Sequence, residues 1–100
     1  MITHIVMWNF QEQLSEAEKK EAGQVMKERL EALKDRIPGV VSLKVIINEL
    51  PGSDKDIALI GEYETLEDLN HYAVHPCHLE VVDYVKKVAC NRTCLDYESL

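Results

Sequence analysis

Three of the four histidines and one of the four tyrosines of this chain lie within the eight residues from His71 to His78. A neutral imidazole beside a phenol can remove a proton while the phenol stabilises the negative charge that develops, because histidine titrates near neutral pH. Tyr72 and His78 are the strongest candidate pair, since a helix break between them would turn both side chains toward one point. The spacing equally permits two core or rim residues whose polar atoms are satisfied by the backbone.

The other two histidines of this segment have simpler interpretations. His75 directly precedes Pro76, and we expect it to cap the helix that this proline begins. His71, His75 and His78 also have helical spacings of four and three, which is compatible with a metal site. Pro76 interrupts that regularity, and neither a carboxylate nor a thiolate is evidently placed to complete the coordination. We therefore expect no metal ion and no other cofactor.

His4 lies far from this segment in the sequence, in an apolar stretch where it alternates with Val6 and Trp8. Alternation places these residues on one face of a strand, and on a helix-covered face His4 would join Tyr72 and His78 as a third catalytic candidate. A lone strand histidine is also commonly structural. The residues expected to line an apolar pocket, or to be plain core around it, are Val6, Trp8, Met26, Leu30, Tyr63 and His75.

Hydrophobic periodicity predicts the elements that must position these residues. Period-two alternation predicts four strands, and three- to four-residue spacing predicts a helix that begins at a Ser15 capping box and ends before Pro38-Gly39. A second helical region opens at a Thr65 cap, breaks at His75 and resumes at Pro76. The predicted strands are 2–10, 40–50, 56–64 and 92–98, and the predicted helices are 16–36, 65–75 and 76–89.

The order of these elements is β-α-β-β-α-β, with the second helical region counted once. This order predicts an α+β, ferredoxin-like subunit, in which a four-stranded antiparallel sheet carries both helical regions on one face. The first two strands are apolar on both faces, yet the helices can cover only one. An uncovered apolar face of this size predicts a homodimer in which two sheets pack together.

Composition narrows the class of protein further. A chain of 100 residues predicts one domain, 1–100, and a net charge of −7 without a basic stripe argues against nucleic acid as a partner. The first apolar stretch is too short to span a membrane and has no basic flank, so we expect a cytoplasmic protein with no membrane partner. Cys77, Cys90 and Cys94 are expected to be buried small residues.

The sequence resembles the stress-responsive dimeric α/β-barrel family, known as Dabb. The resemblance is carried by four segments in the same order, namely His4 to Phe10, Ile37 to Val40, Tyr72-x-x-His75-Pro76-x-His78 and Asp96-Tyr97. It implies a ferredoxin-like subunit that pairs sheet to sheet into a barrel. It also implies a role for Tyr72 and His78, which match the catalytic tyrosine and histidine of a plant polyketide cyclase of the family, and for His4, which matches a cavity histidine.

The cyclase to which these positions correspond closes a linear polyketide by an aldol condensation without a cofactor. The first helix here offers Gly23, Met26, Lys27 and Leu30 where the cyclase pocket is lined by aromatic and small residues, so the polyketide substrate is not implied. The leading hypothesis is a homodimer that binds a small apolar or aromatic ligand and carries out cofactor-free proton transfer, as a cyclase or isomerase does. The alternatives are a stress-associated structural or binding protein with a filled pocket, and a cofactor-independent monooxygenase or isomerase of the wider barrel group.

Overall fold

Strand β1 (Ile2–Phe10) is an inner strand of the sheet and pairs on both of its sides. The structure, a computed structural model, describes residues 1–99. The other strands are β2 (Val40–Ile47), β3 (Ile57–Tyr63) and β4 (Ala89–Glu98). Their order is β2-β3-β1-β4, and every neighbouring pair is antiparallel. The predicted ferredoxin-like α+β fold is confirmed, while the predicted domain limit of residue 100 lies outside the described residues.

The helices are α1 (Glu16–Ala32), α2 (Leu66–Val74) and α3 (Pro76–Val88), and a 3-10 turn (Leu33–Asp35) extends α1. Each helix begins at the cap that the sequence predicts. Ser15 and Glu18 form a reciprocal capping box, and the Thr65 side chain accepts a hydrogen bond from the Asp68 backbone. His75 ends α2 in extended geometry and its ring accepts from the Cys77 N–H, so one residue both breaks the helical region and caps α3.

The two faces of the sheet differ in cover. Val6, Trp8 and Phe10 are buried beneath the helices and pack with Met26 and Leu30 of α1 in the core. Alternation sends the intervening side chains to the opposite face, which the described residues 1–99 leave open. Exposed apolar side chains there are Met7, Ile46, Leu95 and Tyr97. The sequence prediction of one helix-covered face and one uncovered apolar face is therefore confirmed within the single chain.

Several predicted boundaries differ from the structure. The α-helix ends at Ala32 because the last turn before Pro38 tightens into a 3-10 turn, as helix ends commonly do. Strand β2 ends at Ile47 rather than 50, since the turn-forming segment before β3 begins earlier. Gly39 has a φ of 87°, a conformation that favours glycine, and it leads the chain into β2.

The largest difference is at β4, which begins at Ala89 and not at 92. The register of its pairing with β1 shifts between Met7 and Asn9. Met7 is paired with Thr93 and Asn9 with Cys90, so two residue steps along β1 lie opposite three along β4. The extra residue lies beside Asn91, whose φ is 54°. This geometry is a β-bulge, and the break in alternation that it causes hides the first part of the strand from a pattern of period two.

Within residues 1–99, the helices are all too short or too polar to cross a membrane.

Candidate functional site

A cavity of about 480 Å³ opens between the helix-covered face of the sheet and helices α2 and α3. This volume suits a small ligand, since small-molecule binding sites commonly enclose about 300 to 1,000 Å³. Its walls are apolar over most of their extent, with a few polar groups on α2, α3, β1 and β4. The polar or ionisable lining residues are His4, Asn70, Tyr72, His78, Lys86, Arg92, Cys94 and Asp96.

His78 is half-buried in this wall and is held by the break between the two helices. Its Nδ1 lies 3.1 Å from the carbonyl oxygen of Ala73, which can only accept a hydrogen bond. Nδ1 must therefore carry a proton, and in the neutral ring Nε2 is the free base. Burial lowers the pKa of His78 below its ordinary value, and His4 and Arg92 lower it further against the opposing effect of the Ala73 hydrogen bond. The neutral, basic form is thus the form favoured at neutral pH.

Tyr72 lies against this imidazole. The two ring centroids are 4.3 Å apart with the planes tilted by 38°, and only 1% of the tyrosine is exposed. Its hydroxyl has no hydrogen-bond partner among the described residues, although it is fully buried. Burial raises the pKa of Tyr72 to about 12, so the phenol keeps its proton. Because Tyr72 lines the cavity, this buried donor is a candidate partner for a ligand acceptor, which it would reach once the side chains around the hydroxyl move apart.

Tyr63 extends this aromatic contact toward β1. Its ring centroid lies 5.1 Å from that of Tyr72 and 6.1 Å from that of His4, and its hydroxyl also has no partner among residues 1–99. Burial, and then the adjacent Tyr72 hydroxyl, raise its pKa far above the ordinary value. A Cβ at Gly61 would lie 2.7 Å from the Tyr63 hydroxyl oxygen, so the glycine leaves the space that this oxygen occupies.

His4 and Asp96 form the polar end of the cavity wall on the sheet. They are directly opposite each other in the β1–β4 pair, and the His4 Nδ1 is hydrogen-bonded to the Asp96 carboxylate. Since an ionised carboxylate only accepts, the His4 Nδ1–H is the donor. Cys94 is two residues before Asp96 on the same face of β4, and its Sγ lies 3.7 Å from His4 Nδ1. Partial burial, and then the Asp96 charge, raise the pKa of the Cys94 thiol, so it is not an activated nucleophile.

The β4 bulge determines which side chains reach this wall. Cys94 is paired with Val6 and Asp96 with His4, and both partners face the helices. Ala89 is paired with Phe10 and faces the helices as well, although it is an odd number of residues from Cys94. The extra residue at the bulge explains why Ala89 and Cys94 face the same side, because one added residue moves all later side chains of the strand to the opposite face. Arg92 follows the bulge and borders the cavity.

The structure brings the three predicted catalytic residues, His4, Tyr72 and His78, to one cavity. Val6, Trp8 and Leu30 line it too. Met26 and Tyr63 are completely buried behind the wall, and His75 caps α3.

The sequence pattern does not identify Asp96 or Arg92 as members of the site. Arg92 and Asp96 alternate with Cys94 in the sequence, which places all three on one face of a strand. Which face that is depends on the β1–β4 register, which the sequence pattern does not give. The prediction that the cysteines are buried is wrong for Cys94, which is exposed, and Cys77 and Cys90 are only partly covered. An edge strand beyond the reach of the helices explains the exposure of Cys94.

The profile of the Dabb domain, described as the stress responsive A/B barrel domain, matches residues 2–99. The chain belongs to the Dabb family. Among curated proteins none matches the chain. A dimeric protein of unknown function and ferredoxin-like fold from Bacteroides fragilis is 32% identical, with a TM-score of 0.92 over 98% of this chain and 95% of that one.

Two more distant structures share the fold of this Dabb protein. A Dabb family protein from Mesorhizobium loti has a TM-score of 0.75 at 20% identity, covering 99% of this chain and 96% of that one. A hydroxynitrile lyase from Passiflora edulis has a TM-score of 0.78 at 17% identity, covering 96% of this chain and 90% of that one. At these identities the likeness concerns the fold alone.

Proposed function

We propose that this Dabb protein is a cytoplasmic homodimer that binds a small, partly apolar carbonyl compound and transfers a proton at the carbon next to the carbonyl. The observation that carries the proposal is the pair of His78 and Tyr72 in one cavity. The Nδ1–H of His78 is held by the Ala73 carbonyl, and the hydroxyl of Tyr72 is buried without a partner. One group supplies the base and the other an unused donor.

The proposed step needs no cofactor. Nε2 of His78 takes the proton from the α-carbon, and the electron pair of that C–H bond moves to the carbonyl oxygen as an enolate forms. The Tyr72 hydroxyl donates a hydrogen bond to that oxygen, where the negative charge develops. His4 assists at the sheet side of the cavity, with its ring oriented by Asp96. Return of the proton to another atom gives an isomerase, and attack of the enolate on a second carbonyl gives a cyclase.

The open face of the sheet supports the homodimer. Leu95 is 59% exposed and Tyr97 is 46% exposed on this face, beside Met7 and Ile46. A larger and shallower groove of about 800 Å³ borders the same face near Met7 and Ile46, and it contains none of the catalytic candidates. The similar Bacteroides fragilis protein is dimeric, which supports a homodimer here. The three free thiols suit a reducing compartment.

Two alternatives are less well supported. A structural protein whose pocket is filled by side chains does not match a cavity of about 480 Å³ bordered by His78. Monooxygenase chemistry has no support beyond the fold, because one fold serves many reactions.

Proton transfer can be tested without knowing the natural substrate. A panel of small aryl ketones, with phenylacetone as the first member, is incubated in deuterated buffer, and loss of the α-proton signal is followed by NMR. We expect the native protein to accelerate exchange, His78→Ala to abolish the acceleration, and His71→Ala to retain it, since His71 does not line the cavity. Unchanged exchange in the His78 variant, or no acceleration with any ketone of the panel, would contradict the proposal.

A further inference from the structure

Three side chains of different chemistry converge at the sheet side of the cavity. His4 Nδ1, Cys94 Sγ and a carboxylate oxygen of Asp96 all lie within 4.8 Å of one another. No second group of this kind occurs among the residues that the structure describes. We propose that these residues bind a divalent transition metal ion, and that zinc is the ion they fit best.

Two of the three distances between the ligand atoms suit such an ion. Cys94 Sγ lies 3.7 Å from His4 Nδ1 and 3.6 Å from the Asp96 oxygen. Zinc lies about 2.0 to 2.3 Å from nitrogen, oxygen and sulfur ligands, so the edges of a zinc tetrahedron are roughly 3.3 to 3.8 Å. The third edge, between His4 and Asp96, is shorter because the two are hydrogen-bonded directly. An ion would replace the proton on His4 Nδ1, and the His4 and Asp96 side chains would have to move apart to the length of a tetrahedral edge.

The backbone already holds the ligands in place. His4 lies directly opposite Asp96 on paired strands, and Cys94 is two residues before Asp96 on the same face. His4 belongs to an inner strand and is only 8% exposed, so its ring has little freedom. Ligands on paired strands are held more precisely than ligands on loops, so little ordering is required when an ion binds.

The donor set decides the kind of ion. A thiolate and an imidazole disfavour magnesium and calcium, which prefer oxygen ligands, and they favour zinc, which accepts nitrogen, sulfur and oxygen together. Three protein ligands leave a fourth position open. Because all three line the cavity that Tyr72 and His78 also line, a water molecule or a carbonyl oxygen of a ligand would fill that position. The metal site thus goes beyond the proposed proton transfer, and its occupancy does not depend on that reaction.

Cobalt(II) provides the sharpest test because it reports its own ligands. Protein stripped with a chelator is titrated with cobalt(II), and the ultraviolet and visible spectra are recorded without substrate. We expect a thiolate-to-cobalt charge-transfer band and the strong visible bands of tetrahedral cobalt, both removed by excess zinc. Cys94→Ser should lose the charge-transfer band, while Cys90→Ser and Cys77→Ser should keep it. Asp96→Asn should weaken zinc binding, measured by competition, by more than about tenfold, the lower range for loss of an outer-shell partner.

The inference is overturned if the native protein shows no charge-transfer band at a large excess of cobalt. It is also overturned if Cys94→Ser keeps the band of the native protein, or if the Cys90 control loses it. Circular dichroism establishes that each variant is folded before it is titrated. His78→Ala should bind cobalt as the native protein does, because His78 is not one of the three ligands. The metal site and the proposed base are therefore tested separately, and either can fail alone.

Discussion

His4 and Asp96 are 92 residues apart in the chain, and their side chains are hydrogen-bonded across the β1–β4 pair. His4 is nearly buried while Asp96 is partly exposed. Solvent screening at the aspartate should limit the strength of the pair.

We expect Asp96→Ala to lower the free energy of unfolding by less than about 1 kcal/mol in metal-free protein, as is usual for exposed pairs. A double-mutant cycle with His4→Ala, measured by urea denaturation, gives the coupling. Glu98→Ala, an exposed carboxylate on the same strand face, is the control, and an equal loss there would refute a specific pairing.

The stability of the protein should depend on pH through His78. Burial lowers its pKa in the folded state, so between the folded pKa and the ordinary value of 6.5 the unfolded chain binds more protons than the folded one. The contribution of neutral His78 to the free energy of unfolding is therefore complete above pH 6.5, and it is lost as the pH falls through the folded pKa. Urea denaturation across that interval should show a flatter pH profile for His78→Gln than for the native protein. His71→Gln serves as an exposed histidine control, and a profile that His78→Gln leaves unchanged would contradict the prediction.

Removal of the Tyr72 hydroxyl should separate function from structure. This oxygen is buried and has no partner of good hydrogen-bond geometry among the described residues, so folding desolvates it with little compensation. We expect Tyr72→Phe to leave the free energy of unfolding unchanged or to raise it by about 1 kcal/mol, since a buried unpaired donor costs that much or more. The same variant should lose most of the ketone exchange activity. A clear loss of stability in thermal denaturation would show that the hydroxyl is structural.

A side chain at Gly61 should destabilise the protein. A Cβ there would meet the Tyr63 hydroxyl oxygen at 2.7 Å and a Leu43 methyl carbon at 3.1 Å. Overpacking of this kind typically costs about 1 to 3 kcal/mol, and we expect Gly61→Ala to lie in that range. Gly52→Ala is the matched control, because nothing lies within 4 Å of its added carbon. Equal stabilities of the two variants in urea would show that Tyr63 can move aside without cost.

The open face should control assembly. Leu95 is 59% exposed, is paired with Ile5 and lies on the face that we propose as the dimer interface. Leu95→Lys would place a charge in that interface, so we expect the variant to be a monomer by light scattering while the native protein is a dimer. Val74→Lys changes an equally prominent apolar side chain at the end of α2 and should remain dimeric. A dimeric Leu95 variant would place the interface elsewhere.

The sequence predicts the fold well where the signals are local. The Ser15 capping box, the Thr65 cap and the His75 break are each set within four residues, and the structure has all three. It predicts that His4, Tyr72 and His78 share one region because alternation and the helix break orient them. Each of these signals depends on residues that are close together in the sequence, so it can be recognised without the structure.

The pairing of His4 with Asp96 could not be predicted in the same way. It depends on a register between the two ends of the chain, and the bulge beside Asn91 shifts that register by one residue. The exposure of Cys94 depends on how far the helices extend over an edge strand, which alternation does not report. Both failures concern β4, the element whose partner is most distant in sequence.

The Asn91 bulge has a wider consequence, since it links the inside of each subunit to its outside. Arg92, Cys94 and Asp96 border the cavity only because the strand is one residue out of step, and Leu95 and Tyr97 point outward for the same reason. Loss of one residue there would exchange the two sets, so that apolar side chains would face the cavity and charged side chains would lie on the open face. The lining of the cavity and the make-up of the open apolar face therefore depend on the same residue, and a single insertion or deletion at this point would change both while leaving every helix untouched.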